Sequence, residues 1–238
     1  LDINAVADIP AGTGLGSSSS FTVGLINALC HYKKINLNKT SLAEHACSVE
    51  IDILKLPIGK QDQYAAAFGG LNLINFKSNG ITTVERIKKK GITNFLKKNL
   101  LIINTGLRKN NKLILSDQIK NIKNDKTVIE HLKFMRDSVY EFKSSLLNHD
   151  IKKCGEVLHE NWIRKKDLAK GVSNHNIDDM YKDSLKYGAL GGKILGAGGR
   201  GYLMLICDQN SQKKIIKKFK NFEFLDFNFD PFGSRKLY

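Results

Sequence analysis

The stretch Pro10–Ser20 reads PAGTGLGSSSS and runs straight into the apolar residues Phe21, Val23, Leu25 and Ile26. Glycine loses more backbone freedom on folding than any other residue. Gly12, Gly14 and Gly16 at alternate positions, followed by Ser17, Ser18, Ser19 and Ser20, are therefore costly to order. At a helix start the first N–H groups lack partners within the helix and point outward in the positive potential of the dipole. A phosphate satisfies them together. Glycines ahead of the helix take positive φ and let the backbone approach an anion closely, while serines add hydroxyl donors, one of which can ligate Mg²⁺. Composition leaves two readings open: a phosphate cradle, or a flexible glycine turn capped by serines. Neither common phosphate template applies. No lysine follows the glycines as a Walker loop requires, and Gly12, Gly14 and Ser17 break G-x-G-x-x-G.

A second glycine cluster, GGKILGAGGRGYLMLI, does satisfy that pattern through Gly196, Gly198 and Gly201. A strand rather than a helix follows it, which argues against a dinucleotide site. It reads instead as a turn between two strands, closely approached by another backbone segment.

Hydrophobic periodicity places the remaining elements. Ile3–Ala7 alternates weakly and reads as a strand, and Ser17–Tyr32 as a buried helix. Thr40–Glu50 reads as a helix with Ser41 and Glu44 spaced as a capping box. A short helix spans Lys60–Phe68, ended by Gly69 and Gly70. Leu71–Phe76, Ile81–Ile87 and Leu100–Gly106 are strand candidates. Val128, Leu132, Met135, Val139, Phe142 and Leu146 form one apolar stripe on a long helix, suited to an intramolecular core or to a dimer seam. Helices follow at Ile151–Leu168 and Asn176–Tyr187, then the apolar strand Gly201–Cys207, an amphipathic helix over Ser211–Lys220 and a last strand over Phe222–Phe229. Strands mixed with late-clustered helices give an α+β class, with a boundary near Lys97–Leu107.

With 238 residues the chain is long enough for a proper core. No apolar run approaches the length of a bilayer span, and no signal peptide opens the chain, so no membrane partner is expected. The 4 cysteines form no C-x-x-C pair and read as reduced, buried thiols of a cytoplasmic protein. The histidines show no metal spacing. The net charge of +15 is spread along the chain without an aromatic RNA motif, so a solvated basic surface is favoured over nucleic-acid binding. Anionic small substrates suit the same charge.

Taken together, PAGTGLGSSSS, EIDILKLPIGKQDQYAAAFGGLNLINF and KILGAGGRG, in this order, resemble the GHMP kinases, the superfamily of galactokinase, homoserine kinase and mevalonate kinase. Within it, GKQDQYAAAFGGLN, LHENW and GALGGKILGAGG are similar to the D-glycero-D-manno-heptose 7-phosphate kinases. The resemblance implies a GHMP kinase fold: a ribosomal protein S5 domain 2-like part over residues 1–106 and a ferredoxin-like part with added helices over 107–238. It also implies ATP, Mg²⁺ and a phosphorylated sugar as ligands, with transfer to the anomeric hydroxyl of heptose 7-phosphate. Another sugar or mevalonate-pathway kinase, or an inactive remnant, is the alternative. Relatives begin with an early strand, a basic residue and part of the sugar pocket ahead of what corresponds to Leu1. A preceding segment is thus expected, since the chain opens within a strand and without Met.

Carried onto this sequence, the resemblance assigns the ATP phosphates to Pro10, Gly12, Gly14, Leu15, Gly16, Ser17, Ser18 and Ser19. Mg²⁺ goes to Ser18 (or Ser17) with Glu50, 12 positions ahead of Asp62. Asp62, just inside a short helix, is the acidic residue expected to accept the proton of the acceptor hydroxyl or to orient it. Arg108 ahead of a helix, and Lys193 and Gly198 at the late glycines, are candidates for the sugar phosphate. His159, Trp162 and Lys166 share a helix face that suits a sugar pocket, although Trp162 reads better as core. Arg200 stands where relatives carry Gly, so its side chain must point away from the turn or the loop must shift.

Overall fold

The structure, a computed structural model, describes residues 1–10, 12–106 and 111–237. Backbone contacts divide it into two compact units. The first holds Leu1–Ala11, Gly16–Lys88 and Asn228–Tyr238, and the second Gly12–Leu15 and Lys89–Phe227.

In the first unit, α1 (Ser17–Tyr32), α2 (Lys39–Cys47) and α3 (Gln61–Phe68) pack around Val23, Leu42, Ala43, Ala46, Tyr64 and Ala67. A turn of π-helix, Ser48–Ile53, continues α2. Strands β1 (Asn72–Phe76) and β2 (Thr82–Arg86) form an antiparallel hairpin with Ile74 opposite Val84. The cap of α2 is Asn38, whose side-chain oxygen accepts from the Ser41 amide at 2.8 Å. This displaces the expected Ser41–Glu44 capping box, because Ser41 is already helical and its amide already satisfied.

The chain's C-terminal segment returns to the end of α3. The Gly70 amide donates to Asp230 O at 2.6 Å and the Ser234 amide to Ala66 O at 2.9 Å. Lys39 Nζ donates to Phe68 O at 2.9 Å and also to Phe232 O. Two glycines allow this contact, since a Cβ on Gly69 would lie 2.1 Å from the Gly233 nitrogen. The expected strand over Ile3–Ala7 is absent: the segment is irregular, and Leu1, Ile3 and Val6 are exposed. Alternation alone does not make a strand, because its backbone groups must find a partner.

The second unit is built on a three-stranded antiparallel sheet, β3 (Leu100–Asn104), β5 (Tyr202–Ile206) and β4 (Gly191–Ile194), with β5 central. Its core includes Ile103, Trp162, Val172, Ile194, Leu203 and Leu205. Because β3 hydrogen-bonds to β5, the division between units falls at Lys88/Lys89, ahead of the boundary expected at 106/107. The helices are α4 (Ile92–Asn99), α5 (Asn111–Asn124), α6 (Lys126–Leu147), α7 (Ile151–Lys166), α8 (His175–Lys186) and α9 (Gln209–Lys218). Sequence periodicity did not reveal α4, which is only 8 residues long.

Two further expectations are corrected. Phe222–Phe229 contributes only an isolated bridge, Phe224 to Ile103, flanked by the bonds Asn104 N to Glu223 O and Leu225 N to Ile102 O. The stripe on α6 does not stay on one face either: Val139 is exposed, and Ser138 is buried in its place. A strict seven-residue repeat drifts around a straight helix of 3.6 residues per turn. The polar replacement is satisfied, since Asn161 Nδ2 of α7 donates to Ser138 Oγ at 2.8 Å.

Helix α7 approaches β4 through glycines. A Cβ on Gly155 would stand 2.3 Å from Leu190 Cβ, and one on Gly191 would stand 2.0 Å from Gly155 O. Gly155→Ala is therefore expected to destabilise this unit by about 1–3 kcal/mol through overpacking. Urea unfolding followed by the fluorescence of Trp162, the single tryptophan and wholly buried, measures it. An unchanged midpoint would contradict the close approach.

Candidate functional site

The start of α1 has the features a phosphate cradle needs. Gly12, Gly14 and Gly16 take φ of 80°, 82° and 73°, so each non-glycine substitution there meets the left-handed penalty. Gly16 is the N-cap and provides no side-chain cap; the helical ladder begins with the Ser20 amide donating to Gly16 O at 2.9 Å. Among the described residues, the amides of Ser17, Ser18 and Ser19 meet no acceptor. By contrast α2, α6, α7, α8 and α9 are capped by Asn38, Asp125, Asp150, Asn174 and Asp208. Ser17 is half-buried and Ser18 exposed, whereas the Ser19 side chain is turned into the core, leaving only its backbone for a ligand.

Asp62 sits in the first turn of α3 and stands at this helix start. A Cβ built on Gly16 would lie 3.2 Å from Asp62 Cβ and Cγ and 3.4 Å from Oδ2. Gln61 Nε2 donates to Asp62 Oδ1 at 3.2 Å. The carboxylate thus lies by the N-termini of both α1 and α3, where the dipoles favour negative charge. Absence of a Cβ at Gly16 is what gives the carboxylate its space.

Glu50 lies not at the end of an ordinary helix but within the π-turn, and it is 1% exposed. A π-turn re-aims side chains relative to a regular helix. Its Oε1 accepts from Ser18 Oγ at 2.7 Å and its Oε2 from Gln63 Nε2 at 2.6 Å. A hydroxyl and a carboxylate in contact form an oxygen donor set of the kind a hard cation prefers. Among the described residues no group of three or more His, Cys, Asp or Glu forms a metal cluster. The pair therefore fits a Mg²⁺ that takes its other ligands from phosphate and water, as is usual for that ion.

Gln63 did not emerge from the sequence. It is wholly buried, and among the described residues its Oε1 has no hydrogen-bond partner. The available signal was a polar residue on the apolar face of α3, beside Tyr64 and one turn from Ala67.

In the second unit the late glycines form the expected turn between β4 and β5. Gly198 has φ of 107°, and a Cβ there would lie 2.5 Å from Val172 O. Gly199 N donates to Val172 O at 2.8 Å, and Asn174 Nδ2 donates to Gly199 O at 2.8 Å. Lys193 lies in β4 opposite Met204, and burial pushes its ammonium below the ordinary lysine value. Among the described residues it has no hydrogen-bond or ion-pair partner. Arg200 is exposed, with Nη1 3.9 Å from the Cβ position of Gly106, so its side chain leaves the turn rather than filling it.

Trp162 belongs to the core. His159 Nδ1 is engaged by the Tyr181 hydroxyl at 2.7 Å, and Lys166 pairs with Asp178 at 3.3 Å. Arg108 lies outside the described residues.

The family model for the GHMP kinases N terminal domain matches residues 1–70, and that for the GHMP kinases C terminal matches residues 142–223. A D-glycero-alpha-D-manno-heptose 7-phosphate kinase of Campylobacter jejuni is 29% identical over 97% of this chain and 69% of its own length. A galactokinase of Pyrococcus furiosus is 28% identical over 87% of this chain and 64% of its own length. Among solved structures, a D-glycero-D-manno-heptose 1-phosphate kinase of Bacteroides thetaiotaomicron superposes with a TM-score of 0.76 at 27% identity. It covers 97% of this chain and 66% of its own. The chain thus spans about two thirds of the length of these relatives.

The contact at Gly16 predicts a local cost. Gly16→Ala places a Cβ in the left-handed region and against Asp62, and is expected to lower stability by about 1–2 kcal/mol. Thermal denaturation of the two proteins side by side measures it, and equal melting temperatures would refute the close contact.

Proposed function

The chain belongs to the GHMP kinase family, and on that premise we propose that it transfers the γ-phosphate of ATP to a hydroxyl of a phosphorylated sugar. The acceptor we assign is the anomeric hydroxyl of D-glycero-D-manno-heptose 7-phosphate, as the name of the Campylobacter jejuni relative suggests. One observation supports the phosphoryl-transfer reading: the Asp62 carboxylate stands against Gly16, at a helix start whose first amides have no acceptor among the described residues.

Phosphoryl transfer asks a protein for positioning and charge stabilisation rather than covalent chemistry. The amides of Ser17, Ser18 and Ser19 bind phosphate oxygens, and the glycines and Leu15 ahead of them, with Pro10, shape the approach. Asp62 accepts a hydrogen bond from the acceptor hydroxyl and orients its oxygen. As that oxygen bonds to the γ-phosphorus, the bond from phosphorus to the β–γ bridging oxygen breaks, and the hydroxyl proton passes to Asp62. Ser18 and Glu50 would hold Mg²⁺, which supplies neutralisation of phosphate charge when bound. Gln63 keeps the Glu50 carboxylate turned toward Ser18. Lys193, a desolvated cation without an anion among the described residues, and Gly198 serve the phosphate of the sugar.

Incubating the purified chain with ATP, Mg²⁺ and a panel of acceptors tests the assignment. Transfer is expected to heptose 7-phosphate and not to galactose, fucose or mevalonate. Reaction with unphosphorylated acceptors alone would remove the sugar-phosphate assignment, and transfer to no acceptor would replace this reading with that of an inactive remnant. Asp62→Asn is expected to lower kcat by about 10²–10⁴-fold while calorimetry still detects ATP binding. Near-normal turnover in that variant would exclude Asp62 from the reaction.

A further inference from the structure

Lys165, in the last turn of α7, is a lysine with only 8% of its surface exposed. Its ammonium donates to Ile194 O at 3.0 Å and also to Gly196 O. A lysine removed from water is retained only where its donors are satisfied, and here both acceptors belong to the β4–β5 glycine segment. Other contacts hold the same segment from α5 and from the N-cap of α8. Gln118 Nε2 reaches Ala197 O at 3.5 Å, and Asn174 Nδ2 donates to Gly199 O at 2.8 Å.

Peptide planarity converts these carbonyl contacts into a statement about amides. In a trans peptide the C=O and the following N–H point in opposite directions. Holding Gly196 O on the α7 side turns the Ala197 N–H to the opposite side, and holding Ala197 O does the same for the Gly198 N–H. Among the described residues neither the Ala197 nor the Gly198 amide meets an acceptor. The carbonyls of Gly196 and Ala197 are thus bound by the protein, while the amides of Ala197 and Gly198, unlike that of Gly199, meet no protein acceptor among the described residues.

We infer that Lys165 is a positioning residue, whose buried ammonium on Gly196 O, with Gln118 Nε2 on Ala197 O, fixes the peptide orientation here and keeps the Ala197 and Gly198 amides directed at an anionic oxygen of the substrate. This rests on the kinase reading only in naming the anion as a substrate phosphate. Lys165 itself does not touch that group. It acts through the Gly196 carbonyl.

Amide-resolved NMR of the ¹⁵N-labelled 238-residue chain, titrated with inorganic phosphate, tests the inference. In the unaltered chain the Ala197 and Gly198 amide signals are expected to shift on titration. In Lys165→Met, which keeps the length and removes the charge, the same response is expected to need about tenfold more phosphate, the factor of a lost charged hydrogen bond. The dispersed signals of the α6 and α7 core should persist. Lys165→Gln, which retains a donor, should fall between the two. A wild-type response in Lys165→Met overturns the inference, as does the absence of any response in the unaltered chain. So does a Lys165→Met and Lys165→Gln pair that both fail to fold, since Lys165 would then hold the unit together rather than orient the turn. Phosphate response without phosphoryl transfer to any acceptor removes the kinase reading and leaves Lys165 standing. Transfer without response at Ala197 and Gly198 does the reverse.

Discussion

A carboxyl group that is 1% exposed must find hydrogen-bond partners within the protein, and Glu50 has two: the Ser18 hydroxyl from the start of α1 and the Gln63 amide from α3. That requirement ties the two helix starts to one buried point. Asp62 precedes Gln63 in α3, and Ser18 follows Gly16 by two residues, so fixing Ser18 and Gln63 also brings Asp62 and Gly16 together. The contact between Asp62 and the Gly16 backbone then needs only the missing Cβ. Satisfaction of one buried carboxyl group thereby sets the geometry that the proposed chemistry uses.

The far end of α3 is held differently. Backbone bonds from Asp230 and Ser234, with glycines at 69 and 233 allowing near contact, clamp the helix where it stops. An eight-residue helix has little stability of its own. Anchored at both ends, α3 can present Asp62 on a short element without the residue wandering. In the second unit a buried lysine, Lys165, gathers two carbonyls of the glycine segment, those of Ile194 and Gly196.

Much of this was legible in the chain. The helices at Ser17–Tyr32 and Gln61–Phe68, the hairpin strands and the β4–β5 turn follow from apolar period and from where glycine stops it. The pairing of a glycine-rich turn with a helix start was also readable, because residues 10–20 contain both, but only the structure decided that no side chain caps that start. What did not follow were features set by distant partners. Ile3–Ala7 has the alternation of a strand and no ladder, Phe222–Phe229 has it and makes a single bridge, and Val139 loses its place in the α6 core to Ser138. Each depends on which backbone or face lies alongside.

By itself the sequence determined the local conformations: positive φ at Gly12, Gly14 and Gly16, a helix beginning at the serines, an acidic residue in the first turn of a second helix, and the family to which these belong. These are encoded within a few residues by sterics and hydrogen-bond inventory. Only the tertiary structure decided that Glu50 occupies a π-turn between Ser18 and Gln63, that Asp62 abuts Gly16, and that Lys165 holds the carbonyls of Ile194 and Gly196. Those contacts join residues 13 to 46 positions apart. No local rule spans such a distance. Burial supplies the reason they form, because a charge withdrawn from water must find its partners wherever the fold brings them.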